Sequence, residues 1–316
     1  MTGSPAGPAA VLVAGESLID VVERAGREPV ELPGGSPANV AVGLARLGNP
    51  VELATWFAED ARGRRVREWL ESDGVVVAAG SQGAAHTSTA RARIDADGAA
   101  EYVFDLADDL PAVSPVRPPA HVHVGSIAAV REPSAAKVTA LVERYTPRAT
   151  VSYDPNVRPA VMPGPGETRR RVEELVARAD VVKVSDEDLA WLAPGEDVAA
   201  VLRSWAALGP ALVVLTRGGE GAVAVTTSGE TVEVAAPRVT VADTVGAGDS
   251  FMAGVVDGLG RAGLLGAPRR EQLRAVGAGT VREVLRRAAT IAAITVSREG
   301  ADPPTATEVE AFTPPA

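Results

Sequence analysis

The chain of 316 residues contains no cysteine. That excludes disulfides, a thiol nucleophile and thiolate-ligated zinc or iron–sulfur centres. Histidine is almost as scarce. His86, His121 and His123 are too few for a multi-histidine metal centre. Aromatic residues make up 3% of the chain, a compositional bias without functional content. No apolar run approaches the ~18 residues that a membrane-spanning helix needs. A basic surplus is missing as well. Lys and Arg total 31 against 41 Asp and Glu, a net charge of −10, which speaks against sequence-independent nucleic-acid binding. The apolar run Ala9–Ala14 has no basic stretch before it and is followed by Gly15 and Glu16, unlike a secretion signal. A cytoplasmic location is therefore expected, with neither nucleic acid nor membrane as a partner.

What is present describes a globular chain. Apolar residues account for 46% and charged residues for 23%. Ala10–Gly15 is a continuous apolar run ending in glycine, the pattern of a strand buried on both faces. Similar runs occur at Val51–Ala54, Val75–Ala79, His121–Val124, Thr150–Tyr153, Val181–Val184 and Leu212–Thr216. Helical patterns lie between many of them, at Ala61–Ser72, Ser134–Tyr145, Gly166–Ala179 and Asp197–Leu208. This alternation predicts an α/β fold, a mostly parallel sheet with helices on both faces.

Two stretches break the rhythm. Ser17–Glu23 and Glu28–Pro33 flank Ala25-Gly26, and His86–Ile94 and Ala100–Asp105 flank Asp97-Gly98. Both read as antiparallel hairpins. Together they would form a small β sheet beside the main domain, from segments of about 17–33 and 86–106. Ile94, Tyr102 and Phe104 would line its apolar face, awaiting substrate or a partner subunit. Two edge hairpins with no role beyond packing would look the same. A further hairpin is expected at Gly221–Thr226 and Thr231–Ala235.

The sharpest chemical signal is Asp243-Thr244-Val245-Gly246-Ala247-Gly248-Asp249-Ser250, which runs into an apolar helix. Small residues let the N–H groups of Gly246, Ala247 and Gly248 point at one spot, and the helix N-terminus adds partial positive charge. Asp249 at the rim would accept a proton from a hydroxyl while those groups hold transferring phosphate. The plainer reading is a tight turn with Asp249 as helix N-cap. No lysine follows the glycines, so the string is not a P-loop. Pro33-Gly34-Gly35-Ser36-Pro37-Ala38-Asn39 is the second signal. Ser36 fits an N-cap and Pro37 the first helical position. The glycines allow close approach to a small ligand whose hydroxyls Asn39 would bond. Ordinary strand–turn–helix punctuation has the same form.

In order and spacing, these two strings resemble the two signatures of the ribokinase-like carbohydrate kinases, the phosphofructokinase-B family. The resemblance runs from Val11 to about Pro304. Gly15–Asp20, Gly34–Asn39 and Asp154-Pro155-Asn156-Val157-Arg158-Pro159 are most similar to the bacterial fructokinases, then to the 2-keto-3-deoxygluconate kinases. The resemblance implies one ribokinase-like three-layer domain spanning residues 1–316, with the small β sheet as a lid. It implies transfer of the ATP γ-phosphoryl group to a primary hydroxyl of a sugar, fructose first, with Asp249 as general base. A 2-keto-3-deoxygluconate kinase, ribokinase or nucleoside kinase is the alternative within the family, and a non-catalytic sugar sensor the alternative outside it.

Roles follow from the resemblance position by position. Asp20, Gly34, Gly35 and Asn39 would bind sugar hydroxyls, and Tyr102 and Phe104 would lie against the sugar. Arg158 would clamp substrate or the transferring group. Lys183 and Ser185 stand in the family's nucleotide-side string, where Ser185 replaces the usual Asn and Asp188 the usual Glu. Asp188 would organise Mg²⁺-bound water, although Ser185 with Asp188 also forms a capping box. Thr216, Gly218, Gly219 and Gly221 match the nucleotide loop, with Gly246 and Gly248 on the phosphates. Asp243, the carbonyl of Val245 and Gly300 resemble a monovalent-cation site, which K⁺ would occupy. The implied assembly is a monomer or a homodimer through the lid.

Overall fold

Apolar runs become strands that are buried on both faces, as a helix-covered parallel sheet requires. The computed structural model describes residues 8–24, 28–94 and 100–313. The first elements are β1 (Val11–Ala14), β2 (Leu18–Arg24), β3 (Val30–Gly34), α1 (Ser36–Arg46), β4 (Val51–Ala54), α2 (Ala61–Ser72), β5 (Val76–Val77), β6 (Thr89–Ile94) and β7 (Ala100–Asp105). Next come β8 (His121–Gly125), α3 (Ser134–Tyr145), β9 (Thr150–Asp154), α4 (Pro165–Val176), β10 (Val181–Ser185), α5 (Asp186–Leu192) and α6 (Val198–Ala207). They are followed by β11 (Leu212–Thr216), β12 (Ala222–Thr226), β13 (Thr231–Val234), α7 (Ala247–Arg261), α8 (Arg270–Arg274), α9 (Ala278–Val296) and α10 (Ala306–Ala311).

Nine strands form the main sheet in the order β13-β12-β11-β10-β9-β8-β1-β4-β5. The pairings of β12 with β11 and β13 are antiparallel, and the others are parallel. Strand side chains alternate between two cores. Val13, Leu53 and Val214 share one core with Leu44, Met252, Val255 and Leu285 of α1, α7 and α9. Leu12, Val122 and Val182 share the other with Val138, Val172 and Trp205 of α3, α4 and α6. Each such side chain contributes about 1.5–3 kcal/mol on burial, so the two layers bind the sheet from both sides. The expected strand at Val75–Ala79 shrinks to the two residues of β5. It is an edge strand, and Val76 there is exposed.

The strand order reverses at β1. β4 and β5 lie on one side of it and β8 to β11 on the other, which opens a crevice at the carboxyl ends of the strands. Glycine sets how deeply α7 sits above that crevice. A Cβ on Gly254 would stand 2.6 Å from Ala288 Cα of α9. The close packing of these two helices fixes the height of the first turn of α7, which carries Asp249.

The second sheet has the order β3-β2-β6-β7. Its two hairpins are antiparallel, and the pairing that joins them, β2 with β6, is parallel. The expected turns at Ala25-Gly26 and Asp97-Gly98 lie outside the described residues, as do the side chains of Ile94 and Tyr102. Ile19 and Val21 enter the first core, while Glu31 forms ion pairs with Arg62 and Arg65 of α2. Val30 and Leu32 of β3 remain exposed.

Candidate active site

The two glycine strings meet at one carboxylate. Gly35, with φ of 105°, is the N-cap of α1, so Ser36 is the first residue of the helix rather than its expected cap. Its hydroxyl is thereby free to reach across the fold. Ser36 Oγ donates to Asp249 Oδ1 at 2.7 Å, and Asn39 Nδ2 donates to Asp249 Oδ2 at 2.8 Å. Asp249 is 7% exposed and lies in the first turn of α7. The cap of that helix is Gly246 in the left-handed region, φ 74°, so the plainer reading of Asp249 as N-cap does not hold. A Cβ at Gly246 would stand 2.6 Å from that of Ala301, which excludes any larger residue.

Of the three amides expected to gather around phosphate, Ala247 N–H donates to Thr244 O at 3.3 Å. Among the described residues no acceptor in the chain takes the N–H of Gly246 or Gly248. The turn that carries Asp249 thus keeps two open amides at a helix N-terminus, and an anion seated there would satisfy them.

Lys183 lies beneath this turn. It is 2% exposed, and its Nζ is 2.8 Å from Asp154 Oδ2 and 3.0 Å from where a Gly248 Cβ would be. Burial disfavours its charge, but Asp154, Asp188 and Asp249 together outweigh that and hold it above the ordinary lysine range. Asp154 is wholly buried. Loss of hydration pushes its carboxyl up to about 6 despite Lys183, and Asp188 and Asp249 add to the push. The contact is an ion pair without hydrogen-bond alignment, and Asp154 Oδ1 has no partner. Lys183 therefore faces Asp154 from inside the sheet instead of lying open along a nucleotide groove.

The sugar-side residues converge on the same place. A methyl group on Gly34 would collide with the Asp20 carboxylate, so the two are in close contact. Burial pushes Asp20 up to about 6; Arg158 opposes this and Asp249 reinforces it. Arg158 is exposed, and its guanidinium donates to Asn156 Oδ1 at 2.8 Å and to Val157 O at 2.9 Å. Asn156 and Ser126, at the ends of β9 and β8, adopt φ of 38° and 58°. Such backbone conformations are costly for residues with side chains and concentrate at functional clefts. Phe104 is partly buried against the second core, and Tyr102 lies opposite Ala92 in the small sheet.

On the nucleotide side, Ser185 and Asp188 form the capping box of α5. Asp188 Oδ1 accepts Val157 N–H at 2.7 Å, and Oδ2 accepts Ser185 N–H at 3.1 Å. Both oxygens are engaged, which suits a water-mediated rather than a direct metal contact. Among the described residues no group of three or more His, Asp or Glu is placed to hold a metal. Thr216 ends β11, and no atom lies within 4 Å of where a Cβ on Gly218 or Gly219 would project. Gly221, φ 98°, turns the chain into β12. Asp243 brings Val245 and Gly300 together by accepting both N–H groups at 3.0 Å.

Sequence reasoning gave no role to Glu16 or Asp154. Glu16 accepts Ala128 N–H at 3.0 Å, and burial pushes its carboxyl up. The available signal was a charge in each of two neighbouring buried strands, Asp154 at the end of β9 and Lys183 inside β10. Among the described residues no helix is long and apolar enough to cross a membrane.

The chain belongs to the pfkB family of carbohydrate kinases, whose family model matches residues 9–308. It is a carbohydrate kinase with the ribokinase-like three-layer fold. A fructokinase of Rhizobium leguminosarum bv. trifolii is 33% identical over 271 residues, 79% of each chain. Fructokinase from Xylella fastidiosa, solved with bound ATP, superposes with a TM-score of 0.81 at 26% identity, covering 96% of this chain and 97% of that one. A double mutant of Vibrio cholerae O395 fructokinase, solved with fructose, ADP and a potassium ion, gives 0.77 at 25% identity, covering 97% and 99%.

Proposed function

We propose that the protein is an ATP-dependent fructokinase in which Asp249 is the general base. One observation carries the reading: the Asp249 carboxylate, oriented by Ser36 and Asn39, is in the first turn of α7, which opens with the unbonded amides of Gly246 and Gly248. A base and an anion seat are what in-line phosphoryl transfer to an alcohol requires. Asp249 takes the proton of the primary hydroxyl as that oxygen attacks the γ-phosphorus and ADP leaves. Gly246 and Gly248 N–H groups receive the growing charge on the phosphoryl oxygens. Asp20, Asn39 and the backbone of Gly34 and Gly35 hold the other hydroxyls, and Arg158 closes the cleft from β9.

Mg²⁺ carried by the nucleotide would neutralise phosphate charge, with Asp188 reaching it through water. Thr216, Gly218, Gly219, Gly221 and Ser185 border the nucleotide. Asp243, Val245 and Gly300 would form a K⁺ site, a reading favoured by their convergence and by the potassium-bound Vibrio enzyme. The small sheet acts as a lid over the sugar, and the exposed Val30 and Leu32 favour a homodimer through it. Fructose is preferred because the fructokinases named above share this chain's family and fold.

ADP release across a panel of fructose, ribose, 2-keto-3-deoxygluconate and a nucleoside tests the assignment. Turnover is expected with fructose. Turnover with the keto-acid sugar and none with fructose would overturn the preference. Tight sugar binding without ADP release would favour a sensor.

A further inference from the structure

Strands β8, β9 and β10 interrupt an otherwise apolar sheet face with a line of polar side chains. His121, His123, Thr150, Ser152, Asp154 and Lys183 all lie on the side that carries α1, α7 and α9, and all are buried. The lower part of the line is neutral and bonded except at His123 Nε2, which has no partner. His121 contacts Thr150 Oγ1 at 2.9 Å and Ser152 Oγ at 2.8 Å, and His123 Nδ1 contacts Ser152 Oγ at 2.9 Å. Burial pulls both imidazoles down to about 3, so they carry no charge at neutral pH.

The upper end carries the ion pair of Asp154 and Lys183. A buried pair costs several kcal/mol per ion in lost hydration and repays it only with good geometry and full hydrogen bonding. This pair is close, at 2.8 Å, but incompletely bonded, since Asp154 Oδ1 is left without a partner. A purely structural pair at this depth is poor design. Its location supplies another reason, because the ammonium stands directly under Gly248 and within the field of Asp249.

We propose that Lys183, clamped by Asp154, is a positioning residue of the phosphoryl-transfer centre: its buried ammonium stabilises the negative charge of Asp249 and adds positive charge beneath the anion seat of Gly246 and Gly248. This rests on the active-site reading above and deepens it. Lys183 is faced by Asp154 from β9, Asp188 from α5, Asp249 from α7 and the neutral His123 from β8. Asp249 is faced by Asp20 from β2, Asp154 from β9 and Lys183 from β10. Lys183 is the one cation in that set. Removing it leaves Asp249 among carboxylates alone.

The test is Lys183→Met, which keeps side-chain volume and removes the cation, beside a Lys183→Met/Asp154→Asn double variant, which removes charge of both signs and serves as the control that leaves no orphaned charge. Lys183→Met is read by the pH profile of kcat/KM for fructose and by calorimetric ADP affinity. We expect the acid limb of the profile to move up by about one pH unit and ADP to bind about tenfold more weakly. A pair with only a structural role would shift Tm and leave both readouts alone. An unchanged ADP affinity, or an acid limb that overlays the wild type's, overturns the proposal. Should the wild type phosphorylate no sugar, the functional reading falls and ADP affinity alone decides this one. If Lys183→Met does not fold, Asp154→Asn alone, which leaves the ammonium unopposed beneath the seat, is read in the same way, with at least about threefold tighter ADP binding expected and unchanged binding overturning the proposal.

Discussion

Two pairs of carboxylates, Asp180 with Asp257 and Asp20 with Asp154, are held differently by the fold. Asp180 accepts Arg270 Nε at 2.6 Å on one oxygen, and Arg270 Nη2 at 3.1 Å and Val151 N–H at 2.8 Å on the other. Asp257 of α7 likewise accepts Asn49 Nδ2, Arg261 Nε and Arg287 Nε. Asp154 has an unpartnered oxygen, and Asp20 and Asp154 are both pushed up to about 6 by burial. Buried polar groups are ordinarily satisfied, and exceptions cluster where function needs them. Asp180 and Asp257 have their oxygens taken up by the fold, whereas Asp154 keeps an open oxygen and Asp20 a charge that burial disfavours.

Breaking the hold on the first pair should have the largest effect. Arg270→Ala orphans Asp180 and should cost about 3 kcal/mol of stability. Thermal melts should show it, while kcat per folded molecule stays at the wild-type value. A loss of kcat without loss of Tm would erase the contrast between the two pairs. The next effect belongs to Ser36→Ala, which removes one of the two donors to Asp249. A hydrogen bond to a charged group contributes about 1.5–3 kcal/mol, so kcat/KM for the sugar should fall at least about tenfold. Steady-state kinetics with unchanged kcat/KM would show that Ser36 does not orient the base.

The smallest effect sharpens the comparison from the opposite direction. Asp20 is held above its ordinary value, so the folded state binds its proton more tightly than the unfolded chain. Ionising it therefore costs stability as pH rises from about 4 through about 6. Asp20→Asn should raise stability by about 1–2 kcal/mol at pH 7.5 and by nothing at pH 4, while weakening sugar binding. Melting curves with the same gain at both pH values would show that burial of the charge is not the cause.

Most of the scaffold was legible from the chain. Parallel strands buried on both faces must be apolar throughout, and runs such as Val51–Ala54 and Leu212–Thr216 have no other good use. The helix Ser134–Tyr145 was bounded as it stands. The meeting of the two glycine strings was legible through family resemblance, since position in sequence says nothing of a contact across 213 residues. Local pattern went astray at Ser36 for that reason. A serine before proline looks like a cap until Gly35 takes the cap and leaves the hydroxyl to Asp249. Asp154 and Lys183 were quoted within strings and given no mutual role, because their pairing depends on the β9–β10 register.

Turnover of fructose by Asp249→Asn, measured against the wild type by ADP release, tests the central claim most directly. The variant keeps the shape of the side chain and removes its ability to accept the proton. We predict a loss of at least about 10²-fold in kcat with Tm within a few degrees of the wild type. Wild-type turnover by the folded variant would contradict the account.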